Sequence, residues 1–208
     1  MIGFSLAYLR LDAGLGALIL FGGVQVTMFA GSVLGGDRPA LPRWLGSGIA
    51  LAGLAYLFWP RGETSVDLVF AGAMATAALG WGIYSLNGRA ASDPLSATAF
   101  NFALATPVAV IVMLAVVEPA MSTTGVVLAI VSGVITSGFG YALWYVVLPR
   151  LETSVAALSQ LTVPIIAIVG GTIFLSEPIT VAVLVGTALV IGGVGIGILS
   201  GRRKVRQQ

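Results

Sequence analysis

Residues 152–200 read ETSVAALSQLTVPIIAIVGGTIFLSEPITVAVLVGTALVIGGVGIGILS. The stretch holds two apolar runs, 153–175 and 179–200, joined by the short turn LSEP. Each run is close to the roughly 20 residues a helix needs to cross the hydrocarbon of a bilayer. Neither has a charge in its interior, and both are continuous in Gly, Ala, Leu and Val. A barrel strand would instead alternate polar and apolar over about 10 residues. The stretch therefore predicts two spanning helices connected by a tight turn.

Five further runs of the same kind precede it: 14–34, 43–59, 67–87, 95–117 and 123–148. The run at 43–59 is the shortest. The connections GGDRPALP, PRGETSVD, NGRAASDP, VEPAMST and PRLE are too short to hold a folded extramembrane domain. Composition agrees: of 208 residues, 58% are hydrophobic and only 9% charged, and the mean hydropathy is +1.04. An ordinary soluble domain carries about a quarter charged residues. Soluble enzymes, nucleic-acid binders and secreted modules are excluded, and the predicted fold is an all-α polytopic membrane helix bundle with seven full spans. Met1–Leu9 is apolar but ends at Arg10 and Asp12, and it has no basic segment before it and no cleavage site after it. It reads as the last turns of a helix whose beginning is missing.

Cysteine and histidine are absent, which removes thiolate and imidazole metal sites, haem and iron–sulfur ligation, and Ser-His or cysteine nucleophiles. No cofactor or metal is expected. The partners implied are the lipid bilayer and a small-molecule solute, not nucleic acid, and the oligomeric state is left open. An intramembrane enzyme would need paired acids, a dyad or a metal site, and the acids here are isolated at helix ends.

Orientation follows from the Lys/Arg bias of cytoplasmic loops. With Arg202, Arg203, Lys204 and Arg206 in the cytoplasm, alternation through the spans puts Arg150, Arg89, Arg43 and Arg38 there as well, leaving Arg10 and Arg61 outside. The prediction is a multi-pass protein of the cell's inner (plasma) membrane with a cytoplasmic C-terminus.

The chain also matches itself. Residues 10–57 align without gaps on 150–197, an offset of 140, pairing Arg10 with Arg150, Gly31 with Gly171, Gly46 with Gly186 and Gly53 with Gly193. Asp12 and Glu152, and Asp37 and Glu177, match as acids. Five spans separate equivalent points, and an odd number inverts the second copy. Inverted repeats are an architecture of secondary transporters, in which the halves exchange roles during alternating access.

These residues resemble a known family. Pro164 in mid-helix, Glu177–Pro178 at the turn, and Gly186 and Gly193 in the last helix make 152–200 similar to the end of an EamA domain, of the drug/metabolite transporter superfamily. ALILFGGVQVTMFAGSVLGGDRPALPRWLGSGIALAGLAYL (17–57) resembles the end of a first EamA repeat, with Asp37 at the acid position and Val24 in place of the proline. GWGIYSLNGR (80–89) resembles the opening helix of the second repeat. The resemblance implies ten helices as two five-helix repeats. On that pattern, 1–59 is the remnant of a first repeat lacking two helices, 60–200 is a complete second repeat, and 201–208 is a basic cytoplasmic tail. It further implies a secondary transporter, an exporter of amino acids, related metabolites or drugs. The alternative is a truncated fragment of such a transporter, inactive in transport.

Polar side chains within spans are costly and mark either helix contacts or a solute pathway. Gln25, with Thr27 nearby, lies in the middle of the first span, either on the pathway or in an interhelical hydrogen bond. Trp81, Tyr84 and Ser85 share one helix face by their i, i+3, i+4 spacing, and Tyr141, Trp144 and Tyr145 share another. The two faces read either as the lining of a cavity for an amphipathic or aromatic solute or as the interfacial aromatic belt. Gln160 precedes Pro164 by one turn, so the proline frees the Gln160 carbonyl for solute or for a neighbouring hydroxyl. Asn101 and Pro107 invite the same reading more weakly, with Asn101 as a helix–helix contact. Asp37 and Glu177 read as caps, Arg150 and Glu152 as structural loop residues, and Gly193–Gly197 as a close helix contact within the bundle.

Overall fold

A computed structural model describes residues 2–59, 67–116, 122–176 and 178–205. Among them there are eight helices and no strand. They are α1 (Ile2–Ala7), α2 (Ala13–Leu34), α3 (Leu41–Phe58), α4 (Leu68–Gly88), α5 (Pro94–Val116), α6 (Thr123–Arg150), α7, made of Thr153–Gln160 and Val163–Leu175, and α8 (Val181–Val205). Six of these (α2 and α4 to α8) are long and apolar enough to cross a membrane. The expected span at 43–59 is helical as α3, but α3 has only 18 residues and opens on Leu41, Pro42 and Arg43. Its length and composition alone do not mark it as a span. Glu177, Arg61 and Arg206, on which the cap and orientation arguments also drew, lie outside the described residues.

Helix ends follow local chemistry. α5 starts at Pro94, whose missing N–H costs nothing in a first turn. The Asp93 carboxylate before it accepts from the Ser96 N–H (3.2 Å) and hydroxyl (2.5 Å). At the start of α6 the Ser122 hydroxyl accepts from the Gly125 N–H at 3.0 Å. α2 ends in a Schellman turn, with the Asp37 N–H on the Ser32 carbonyl, the Gly36 N–H on the Val33 carbonyl, and Gly36 at φ +90°. The Ser32 hydroxyl closes the turn by donating to the Asp37 carboxylate at 2.8 Å, so Asp37 does sit as a helix-end anchor. α7 ends on Ser176, at φ 56°. Gly36 and Ser176 are the two positive-φ positions among the described residues, and they stand 140 apart.

The chain divides into two compact units. The first comprises α1, α2, α3, α4 as far as Ile83, and the chain from Glu152 onward. Its core is Ala50 and Leu54 of α3, Leu161 and Ile165 at the middle of α7, and Val190 and Val194 of α8, with Leu18 and Phe21 of α2 packed against them. α3 and α8 run antiparallel at glycine distance. A Cβ on Gly193 would stand 2.6 Å from the Ala50 nitrogen, and one on Gly53 would stand 2.7 Å from the Leu189 Cβ and 3.0 Å from the Gly186 carbonyl. Gly46 meets Gly193 and Gly197 in the same way. The contact of Gly46 with Gly193 and that of Gly53 with Gly186 exchange with each other under the 140-residue offset.

The second unit runs from Tyr84 to Leu151, which includes the last turn of α4, α5 and α6. α5 remains helical through Pro107. α6 changes character midway: Ser132–Phe139 is a π-helix between α-helical Thr123–Val131 and Gly140–Val147. Such stretches are rare and mark functional sites more often than chance. Apolar side chains along α5 and α6, among them Phe100, Leu104, Ile111, Leu128 and Ile135, are exposed.

Candidate solute site

In the first unit, Gln25 is fully buried and its amide donates across to Ser47 of α3 at 2.6 Å. Its other amide atom, assigned as the oxygen, has no partner among the described residues. Exchanging the amide O and N leaves one atom orphaned either way. Thr27 is no part of this contact, since its hydroxyl turns back to the Gly23 carbonyl at 2.7 Å. Trp81 is half-buried with its ring tilted on Phe21, centroids 5.8 Å apart.

Gln160 and Pro164 lie at a break. α7 stops at Gln160, turns through Leu161 and Thr162, and resumes at Val163, with Pro164 in the first turn of the new piece. The backbone there makes i to i−3 bonds, Leu161 to Leu158 and Thr162 to Ser159, both at 3.1 Å. The hydroxyls of Ser159 and Thr162 donate to the carbonyls of Ala156 (2.8 Å) and Ser159 (2.7 Å). The ladder is interrupted just before Pro164, and the hydroxyls within the break go to the carbonyls of Ala156 and Ser159, not to that of Gln160. Gln160 itself is 4% exposed.

In the second unit the aromatic residues converge. The Tyr84 hydroxyl is hydrogen-bonded to the Thr98 hydroxyl. Tyr145 donates to the Tyr84 carbonyl at 3.0 Å, and the Trp144 indole donates to the Ser85 hydroxyl at 3.2 Å. The Tyr84 ring packs on Tyr145 (4.4 Å) and edge-on to Tyr141 (5.8 Å), which meets Phe102 at 5.3 Å. These spacings are those of favourable aromatic pairs. The candidates Tyr84, Tyr141 and Trp144 thus meet, together with Ser85, and Thr98 and Phe102 are members that sequence reasoning left out. Tyr145 is 1% exposed and lies at the centre of the cluster.

One charged contact also escaped the sequence. Arg43 of α3 pairs with Glu152 and donates to Ser154 at 2.9 Å. Glu152 and Arg43 are 109 residues apart, with no local pattern to join them.

A sequence model of the EamA-like transporter family matches residues 69–199. An uncharacterized protein of Pseudomonas aeruginosa is 40% identical over 194 residues, a match covering 93% of this chain and 67% of that protein. Shorter matches reach an uncharacterized transporter of Archaeoglobus fulgidus (36% identical, 31% of this chain, 23% of that protein) and the uncharacterized transporter YoaV of Bacillus subtilis (31% identical, 36% and 26%). A solved crystal structure superposes with a TM-score of 0.81 over 97% of this chain and 72% of its own, at 19% identity. That likeness shows the fold.

Proposed function

The chain belongs to the EamA-like transporter family of multi-pass membrane proteins, and from that premise we propose that it moves small neutral or zwitterionic organic solutes by alternating access. The observation that carries the reading is the reciprocal packing of α3 on α8. Gly46 and Gly53 meet the glycines of α8 through contacts that interchange under the 140-residue offset. The positive-φ positions at 36 and 176 fall on the same offset. Both features fit two inverted copies of one design, in which either half can take the other's conformation.

The solute class follows from the polar groups available. The cluster of Tyr84, Tyr141, Trp144 and Tyr145 offers hydroxyls, an indole N–H and ring faces, and no charge. In the first unit, taken by itself, Gln25 presents a buried amide atom with no partner among the described residues. Such groups suit an amphipathic or aromatic solute of balanced charge, such as an amino acid, a related metabolite or a drug, better than a strongly anionic one. Within the first unit, Gln160 and Trp81 are further candidate solute contacts, and Pro164 maintains the break beside Gln160. Outward movement, residence in the inner membrane and a cytoplasmic C-terminus complete the proposal.

The test is flux in vesicles carrying the protein, with a panel of neutral, zwitterionic and anionic solutes. Saturable flux of a neutral or zwitterionic solute is expected, reduced at least tenfold by Gln25→Leu or Tyr84→Phe. Flux confined to strongly anionic solutes, or none at all, would sink the reading.

A further inference from the structure

The first piece of α7, Thr153–Gln160, is eight residues long. It is buried at Thr153, Ser154, Ala156, Ala157, Leu158 and Gln160. Its C-terminal end is the break at Leu161 and Thr162, where the α ladder is already interrupted and Pro164 cannot restore it. Its N-terminal end is held by one residue of another helix. Arg43 donates from Nη1 both to the carboxylate of Glu152, the residue before the first turn, and to the hydroxyl of Ser154 within that turn. The element therefore has a joint at one end and a pin at the other.

The pin is of a releasable kind. The Glu152 side chain is 60% exposed, against 12% for Arg43. Both bonds leave from Nη1, and Nε has no partner among the described residues, so the two-pronged geometry of a strong Arg–carboxylate pair is not used. A half-solvated pair of this sort biases a two-state equilibrium by up to about fivefold, not by orders of magnitude. A permanent tether would be expected to sit deeper and to use the whole guanidinium.

We propose that Arg43 is a positioning residue for transport: through Glu152 and Ser154 it latches the first piece of α7, and its release lets that piece swing about Leu161–Thr162 and carry Gln160 with it. The proposal rests on the transport reading above and deepens it, because the latch lies between helices assigned to the two copies. Arg43 touches no solute; it acts through the helix piece that bears Gln160.

The chain has no cysteine, so a single introduced thiol reports without background. Ala157 is fully buried in the middle of the piece. The protein carrying Ala157→Cys is placed in lipid nanodiscs, with both faces in contact with a membrane-impermeant thiol reagent. Adding Arg43→Gln should speed labelling about three- to fivefold, the range open to such a pair, and Glu152→Gln should do the same. The charge exchange Arg43→Glu with Glu152→Arg should return the rate toward that of the parent. Ala50→Cys, in the α3–α8 core, serves as the comparison. Labelling at 157 that is unchanged in both variants overturns the latch. So does equal acceleration at 50, which would mark the pair as a plain structural tether. Should Arg43→Gln fail to fold, Glu152→Gln carries the test alone. Saturable flux with unchanged labelling overturns the latch and keeps the transport reading. Faster labelling without flux of any solute does the reverse.

Discussion

Gln25 shows how a single buried amide divides stability from function. Its bond to Ser47 satisfies half of the group, and the other half has no partner among the described residues. Removing one member of such a pair costs more than removing the polar group altogether. Ser47→Ala strands the whole amide and should lower stability by about 1–3 kcal/mol, seen as a drop in the detergent unfolding temperature. Gln25→Leu deletes the orphan as well as the bond, so it should leave the unfolding temperature unchanged or raised while flux falls. If both substitutions destabilise equally, the amide has partners that keep it fully satisfied, and its place on a solute path is lost. That Gln25 mattered was legible in the sequence, because an amide in mid-span stands out. Its partner was not: Ser47 is one of many small hydroxyl residues in the chain, and only the approach of α3 to α2 selects it. The same holds for Thr98, which gains its importance only when α5 brings it to the Tyr84 hydroxyl.

At the scale of the helix, the glycines of α8 fall into two classes with opposite expected behaviour. Gly193 faces α3, and a Cβ there would collide with the Ala50 backbone nitrogen at 2.6 Å. Backbone cannot step aside as a flexible side chain can, so Gly193→Ala should force the helices apart at about 1–3 kcal/mol. The adjacent Gly192 has nothing within 4 Å of its Cβ position, and Gly192→Ala should be neutral or stabilising by up to about 1 kcal/mol from helix propensity. Paired thermal-unfolding curves of the two variants check this, and a reversed order would mean that α8 is rotated about its axis. Gly46, Gly53, Gly186 and Gly193 stood out in advance, because they pair with one another under the 140-residue offset. The π-helical stretch at Ser132–Phe139 was not. Its residues have the same apolar character as an ordinary span, and the extra backbone per turn leaves no mark on hydrophobic periodicity. The break in α7 was foreseeable from Pro164, though it opens at Leu161–Thr162, two residues before the proline.

For the molecule as a whole, the Lys/Arg bias makes a definite prediction. A reporter fused after Gln208 should be active only when folded in the cytoplasm, and one inserted near Asp93, beside Arg89, should match it. Opposite readings at these two points would overturn the alternation of spans. Class and family were readable from hydropathy and from glycines and prolines at helix ends, which are properties of single segments. The ion pair of Arg43 with Glu152 and the aromatic contacts of α4, α5 and α6 depend on which segments meet, and no single segment records that.

The closeness of α3 to α8 has a consequence for biogenesis. α3 is the helix whose own composition argues least for the bilayer, and the surface that takes its glycines is synthesised some 140 residues later. At ribosomal speed this delay is roughly 7–28 s. During that interval α3 must either wait at the translocon, shelter against another helix, or re-enter the lipid once α8 arrives. Insertion of α3 would then be decided by α8, and a nascent chain halted before Val181 should leave α3 accessible from water.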